Sequence, residues 1–219
     1  MYPGERLLTV MGNVHEIDHP LIRHSLTRLR DVSTPPQEFR AIVGRLTGLL
    51  AYEAMRDLAV ESVPVQTPLQ QATGSRLTDR IGIVPILRAG LGMAESLLQM
   101  IPSAEVWHLG FYRDESTLQP VVYYNKLPQA QPVEVGILVD PMLATGGSGV
   151  AAVNTLREWG VPRIKFLAIL AAPEGIRVVQ DLLPEIQIYV CDIDEQLNDH
   201  GYIVPGLGDA GDRMFNTCH

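Results

Sequence analysis

Residues 137–149 read Ile-Leu-Val-Asp-Pro-Met-Leu-Ala-Thr-Gly-Gly-Ser-Gly: an apolar run, a carboxylate at its end, and a Thr-Gly-Gly-Ser turn opening a helix-like stretch. Glycines let backbone N–H groups approach a phosphate with no Cβ in the way. A helix N-terminus adds partial positive charge and free donors. Thr145 and Ser148 add hydroxyls. Together these groups suit a phosphate monoester. A plain strand-to-helix turn capped by Ser148 uses the same residue types, and Thr-Gly-Gly alone does not separate the two. Asp140 tips the balance. A carboxylate repels phosphate, so its place here makes sense for a ligand that also presents hydroxyls, as a ribose does. No Gly-Lys-Ser/Thr follows, and there is no GxGxxG with a downstream acid, so Walker-type and dinucleotide sites are disfavoured.

Two arginines follow other apolar runs. Arg88 stands at the end of Val84-Pro85-Ile86-Leu87, beside Ala89, Gly90 and Gly92. A guanidinium there can make paired hydrogen bonds to phosphate oxygens, although a surface ion pair is the commoner fate of an isolated arginine. Arg113 follows Phe111-Tyr112, and the stretch after it carries Pro120, Tyr123, Tyr124, Lys126 and Pro128. Lys126 reads as a solvated surface lysine. Residues 198–213 (Asn-Asp-His-Gly-Tyr-Ile-Val-Pro-Gly-Leu-Gly-Asp-Ala-Gly-Asp-Arg) have the composition of a surface loop. The same segment offers bare backbone donors and acceptors to a planar polar ligand.

These residues need a scaffold. Short apolar runs at 81–87, 106–111, 135–139, 164–170 and 186–190 alternate with helix-like stretches at 90–100, 150–159 and 175–183. Such alternation predicts an α/β fold, a mostly parallel sheet flanked by helices. Ligands in these sheets bind beyond the carboxyl ends of the strands, where Arg88, Arg113 and Asp140 fall. Ahead of this lies an N-terminal helical part, about residues 1–65. Leu21, Leu26 and Leu29, then Phe39, Ile42, Leu46, Leu49 and Leu50, recur at helical spacing, and Ser33-Thr34-Pro35-Pro36 separates two helices. Residues 66–79 read as a polar connection. The whole chain, 1–219, is expected to form one domain.

Composition excludes several classes. At 46% hydrophobic and 19% charged residues, the chain is built to fold rather than to stay disordered. A net charge of -8 argues against broad nucleic-acid binding. Cys191 and Cys218 lie in no CxxC pair, and no histidine cluster has zinc spacing, so two free thiols in a reducing compartment are expected. The opening residues lack a basic stretch followed by an apolar run, and no apolar run nears the ~20 residues of a membrane span. The expectation is a soluble cytoplasmic protein with no membrane partner. His15, His19, His24, His108, His200 and His219 show no pairing that suggests nucleophilic catalysis.

Asp140 followed by Ala144-Thr145-Gly146-Gly147-Ser148 resembles the phosphoribosyl pyrophosphate (PRPP) loop of type I phosphoribosyltransferases. The longer stretch from Val139, with Pro141 where many branches carry a second acid, resembles the uracil-specific branch. So does Tyr202-Ile203-Val204-Pro205-Gly206-Leu207-Gly208-Asp209-Ala210-Gly211-Asp212-Arg213. The likeness spans about the last two thirds of the chain. It implies the type I, Rossmann-like fold with a flexible hood at 112–134 and a base-binding loop at 198–213. It implies transfer of the phosphoribosyl group to uracil, giving UMP and pyrophosphate in pyrimidine salvage. Arg88, Arg113, Asp140, Pro141, Met142, Leu143, Ala144, Thr145, Gly146, Gly147, Ser148 and Asp209 would contact PRPP. Ile203, Gly208, Asp209 and Ala210 would contact uracil, and Arg88, Arg113, Asp140 and Asp209 would carry the catalysis. Mg²⁺ would be bound mainly through PRPP, with Asp209 as a protein contact. A homo-oligomer, dimer or tetramer, and a GTP effector acting allosterically also belong to what the resemblance implies. The alternatives are a PRPP- or nucleotide-sensing protein or an RNA-binding pyrimidine regulator on the same fold, and an orotate or purine enzyme, which residues 201–213 disfavour.

Overall fold

The computed structural model describes residues 9–113, 120–129 and 131–217; the side chains of residues 9–11 and 113 lie outside that description. In chain order the elements are β1 (Thr9–Met11), β2 (Val14–Glu16), α1 (Pro20–Arg30), α2 (Pro36–Ala54), β3 (Val60–Gln66), β4 (Gln71–Leu77), β5 (Ile81–Leu87), α3 (Leu91–Met100), β6 (Glu105–Val106) and β7 (Leu109–Arg113). They continue with β8 (Pro120–Asn125), β9 (Val135–Val139), β10 (Met142–Leu143), α4 (Gly147–Trp159), β11 (Arg163–Ala171), α5 (Pro173–Leu182), β12 (Gln187–Ile193), β13 (Gln196–Leu197), β14 (Ile203–Val204) and α6 (Ala210–Phe215).

The apolar runs become central strands because both of their faces are covered. β9 is buried at every residue and β11 at all but its first, the pattern of a strand with helices on both sides. Successive side chains alternate between two cores. Ile137, Val139, Leu167 and Ile169 pack with α1, α2 and α3, whereas Leu138, Phe166 and Ala168 pack with α4 and α5. The strand order is β1-β2-β12-β11-β9-β5-β7-β8. The pairs from β2 to β7 are parallel, and β1 and β8 join antiparallel at the two edges.

Proline starts both N-terminal helices. Pro20 opens α1, where His19 accepts a hydrogen bond from the Leu21 N–H, and Pro36 opens α2. Phe39, Ile42, Leu46 and Leu50 of α2 are fully buried.

Three expectations are corrected. Residues 66–79 are not a polar connection: they turn and return as β4, paired antiparallel with β3 from Val60↔Leu77 to Gln66↔Gln71. Thr67 closes the turn, its Oγ1 accepting from the N–H groups of Leu69 and Gln70. The hairpin is almost wholly exposed, so it carries no apolar run to announce it. The N-terminal part is accordingly not all helical, since β1, β2 and most of β3 lie within it. The run at 106–111 is two strands, β6 beside Gly82 and Ile83, and β7 beside Ile86 and Leu87 of the same β5.

From β5 the chain moves outward to β7 and β8, then returns to the other side of β5 as β9. The loops after β5 and β9 therefore diverge over one crevice, the position at which open α/β sheets bind ligands.

Candidate active site

The segment after β9 is laid along β11 by the backbone. Asp140 N–H donates to Leu167 O (3.2 Å), and Ile169 and Leu170 N–H both donate to Pro141 O (3.0 Å). β10 then pairs with Leu170 and Ala171, and Ala172 N–H donates to Leu143 O (2.9 Å). This backing leaves Ala144 and Thr145 to lead into α4. The helix begins after Gly146, which sits at φ +83° with the Gly175 carbonyl oxygen 2.9 Å from where a Cβ would stand. Only glycine adopts that conformation cheaply. Ser148 lies inside the helix and is not its N-cap. Gly146 holds that position and makes no side-chain cap to the first turn of this 13-residue helix.

On the other side, the loop after β5 turns tightly, with Gly90 N–H donating to Ile86 O at 2.9 Å. A Cβ on Gly90 would stand 2.5 Å from Val139 O, so the two strand-end loops touch. The Leu87–Arg88 peptide is cis. Arg88 Nη2 donates to Asp212 Oδ1 at 3.0 Å, an exposed pair.

The C-terminal segment is an ordered structure. β13 and β14 form a small antiparallel ladder, and Asn198 Oδ1 accepts from the N–H groups of His200 and Tyr202 (3.0 Å each). Asp209 caps α6, its Oδ1 accepting from Asp212 N–H at 2.8 Å. Arg213 donates to the carbonyls of Leu29, Leu207 and Asp31 and stacks 4.5 Å over the Phe39 ring. The glycine-rich loop is thereby tied to the end of α1.

A cavity of about 240 Å³ joins the two regions. Asp140, Met142 and Ala144 line it from the segment after β9; Ile203, Gly208, Asp209 and Ala210 line it from the C-terminal loop. Gly201, Tyr202 and Gly211, which the sequence places in the loop 198–213 without naming them as contacts, complete it together with Ala89, to which the sequence assigns no role. Larger cavities of about 350, 490 and 570 Å³ lie elsewhere, and none of the three links these loops. Pro141 and Leu143 are buried under the loop, and Thr145, Gly147 and Ser148 stand at the start of α4, outside the cavity lining. Arg113 ends β7, and its side chain falls outside the described residues, as do residues 114–119 of the hood and Cys218. Within the hood, the ends of β7 and β8 pair antiparallel. Asp212 was the missed charge. Its place in the C-terminal loop was visible, but a partner 124 positions away was not.

The Asp140 carboxyl is raised from its ordinary value to about 7. Burial is the main cause, opposed by the N–H of Met142 and reinforced by the charge of Asp209. Two carboxylates thus face one small space. Among the described residues no group of three or more His, Cys, Asp or Glu could hold a metal ion. Cys191 is free and buried, with burial pushing its thiol up, so it is chemically quiet. No helix among the described residues is long and apolar enough to cross a membrane.

The uracil phosphoribosyltransferase family model matches residues 16–217. The uracil phosphoribosyltransferase of Roseiflexus castenholzii is 54% identical over 94% of this chain and all of its own length. That of Geobacillus kaustophilus is 51% identical over the same shares. A solved protein from Aquifex aeolicus superposes with a TM-score of 0.86 at 38% identity, over 92% of this chain and 97% of its own. An adenine phosphoribosyltransferase from Trypanosoma brucei, at 11% identity and TM-score 0.57 over 92% of this chain and 90% of its own, shares the fold alone. None of these relatives bears the name of an RNA-binding or sensing protein. This chain belongs to the uracil phosphoribosyltransferase family.

Proposed function

We propose that this protein joins uracil to PRPP, giving UMP and pyrophosphate. The observation that carries the reading is the single cavity shared by Asp140 and Ala144 of the phosphate loop and by Ile203, Gly208 and Ala210 of the C-terminal loop. A nucleotide built from a ribose phosphate and a small base spans such a junction.

In this reading the first-turn N–H groups of α4, with Thr145, Gly146, Gly147 and Ser148, take the 5′-phosphate. Asp140 accepts from the ribose hydroxyls, and Met142 N–H orients its carboxylate. Arg88 and Arg113 take the pyrophosphate. The bond from the anomeric carbon to pyrophosphate oxygen breaks, a uracil ring nitrogen bonds to that carbon, and the nitrogen's proton departs. Positive charge grows on the ribose ring as the bond loosens, so the main tasks are holding the leaving group and aligning the base. Mg²⁺ bound through PRPP, with Asp209 facing it, would add charge neutralisation on the pyrophosphate. Uracil is read by backbone groups near Ile203, Gly208 and Ala210, where a wrong base leaves buried polar groups unpaired. Closure of the hood over the site would keep water from the ribosyl centre.

Further parts of the reading rest on less. The β3–β4 hairpin exposes Val60, Val65, Leu69 and Leu77, a surface that fits a homo-oligomer. GTP as effector rests on the sequence resemblance. The cytoplasm suits this chemistry and the free thiol of Cys191.

The test is UMP formation from uracil and PRPP with and without Mg²⁺, with orotate, hypoxanthine and cytosine as rival bases. Uracil-selective, magnesium-dependent turnover is the expected result. Turnover of a rival base but not uracil, or none with any base, overturns the assignment.

A further inference from the structure

The base loop is held from behind by a charged pair that never enters the cavity. Arg30, the last residue of α1, donates from Nη1 to Gly206 O at 2.9 Å and to Asp194 Oδ2 at 2.8 Å. Its Nη2 donates to Asp194 Oδ1 at 2.5 Å and to Asp192 Oδ2 at 2.8 Å. Asp194 Oδ2 in turn accepts from Gly206 N–H at 2.9 Å. Both polar groups of one peptide residue are therefore taken up by one ion pair. The Asp194 side chain is only 4% exposed, so water competes little for its bonds, whereas Asp192 is 41% exposed and makes the outer contact.

Gly206 is the pivot of the loop. It lies between Ile203 and the Gly208-Asp209-Ala210 stretch, and a Cβ on it would stand 2.1 Å from Ile203 O. At this residue the chain folds back on the segment that lines the cavity. Asp194 is anchored as well, since its N–H donates to Ala171 O at 2.9 Å. The next residue, Ala172, donates to Leu143 O behind the phosphate loop. The base loop and the phosphate loop are thus referenced to the same end of β11.

We propose that Arg30 and Asp194 are positioning residues for base selection, fixing the backbone shape that reads the pyrimidine without touching it. This rests on the uracil-transfer reading above. A selectivity set by backbone donors and acceptors depends on their placement, and a small displacement of an aligned site costs orders of magnitude. Lysine at position 30 keeps a positive charge for Asp194 but has no planar fork to serve Asp192, Asp194 and Gly206 O together.

The experiment compares Arg30→Lys and Asp192→Asn with the unaltered chain. Each is measured for uracil, thymine and cytosine kinetics, for PRPP affinity without base by calorimetry, and for thermal stability. For Arg30→Lys we expect uracil kcat/KM to fall roughly 10–100-fold, carried mainly by KM. The preference for uracil over thymine and cytosine should shrink by about tenfold, with PRPP affinity held within about twofold. Asp192→Asn, which weakens one outer contact, should give the same pattern at a few-fold. Parallel loss for all bases, or an equal loss of PRPP affinity, overturns the proposal in favour of a purely structural role. If Arg30→Lys does not fold, Asp192→Asn decides: an unchanged uracil KM overturns the idea. Absence of uracil turnover in the unaltered chain would instead reject the functional reading on which it rests.

Discussion

Arg88 and Asp212 are joined by a 3.0 Å hydrogen bond between side chains 124 residues apart. The bond links the loop after β5 to α6, and so the proposed pyrophosphate side of the crevice to the base loop. Both groups are partly exposed, 56% and 34%, and a pair in that setting contributes ~0–1 kcal/mol to stability. The arginine is thus held without being locked, and in the proposed reading it exchanges this carboxylate for a phosphate.

Arg88→Ala should therefore separate function from folding. A charge-assisted bond to phosphate contributes about 1.5–3 kcal/mol. The expected result is a fall in kcat/KM for PRPP of roughly 10–100-fold. The melting temperature should move by less than about 3 °C, since ~1 kcal/mol corresponds to ~2–4 °C in a chain of this size. Steady-state kinetics and a thermal melt check both, and full retained activity would remove Arg88 from the site.

Asp140 predicts a pH signature. Its carboxyl is raised from 3.8 to about 7, first by burial. Between those values the folded chain holds a proton that the unfolded chain has released, so stability falls as pH rises through the window and levels off above about 7. Asp140→Asn lacks this dependence. The variant's melting temperature minus the parent's should grow from pH 4 to 7 and then stay flat. If the ionised carboxylate receives the ribose hydroxyls, the parent-to-variant ratio of kcat/KM for PRPP should rise through the same range. A constant ratio would argue that Asp140 does not titrate in the free protein.

What was legible in the sequence had local causes. β5, β9, β11 and β12 were readable because both of their faces are covered and most of their residues are apolar. The phosphate loop was readable because its carboxylate, glycines and helix start lie within ten residues. The β3–β4 hairpin was not, because its exposed faces impose no apolar period and Thr67 and Pro68 alone mark a turn without saying that strands flank it. Nor were the ties of Arg88 to Asp212, or of Arg30 to Asp194 and to Gly206, whose partners are 124, 164 and 176 positions apart. Charge pairs carry no periodicity, so only the fold brings them together.

Gly146→Ala should damage the phosphate site through the backbone. Alanine at φ +83° costs about 1–2 kcal/mol, and its Cβ would press on Gly175 O at 2.9 Å. The expected result is a melting temperature lower by roughly 2–8 °C together with clearly weaker PRPP and UMP affinity. Gly160→Ala is the control. It has φ +101° at the other end of α4, where a Cβ meets only the Pro132 ring at 3.3 Å. It should lose comparable stability and keep its PRPP affinity. Equal affinity losses at both positions would mean that the strain, not the loop, is responsible.

Arg213→Lys tests whether the base loop depends on its tie to the helical layer. Arg213 donates from Nη1 to Leu29 O at 2.7 Å and to Leu207 O at 2.8 Å, and from Nη2 to Asp31 O at 2.5 Å. Its guanidinium carbon also sits over the Phe39 ring, 4.5 Å from the ring centre. A lysine ammonium cannot reach three carbonyls from one planar fork or stack in the same way. Loss of one such bond costs about 1.5–3 kcal/mol, so the melting temperature should fall by roughly 3–12 °C. Leu207 lies between Gly206 and the cavity residue Gly208, so loosening it should raise KM for uracil more than KM for PRPP. Equal rises in both constants would indicate that Arg213 serves the fold as a whole.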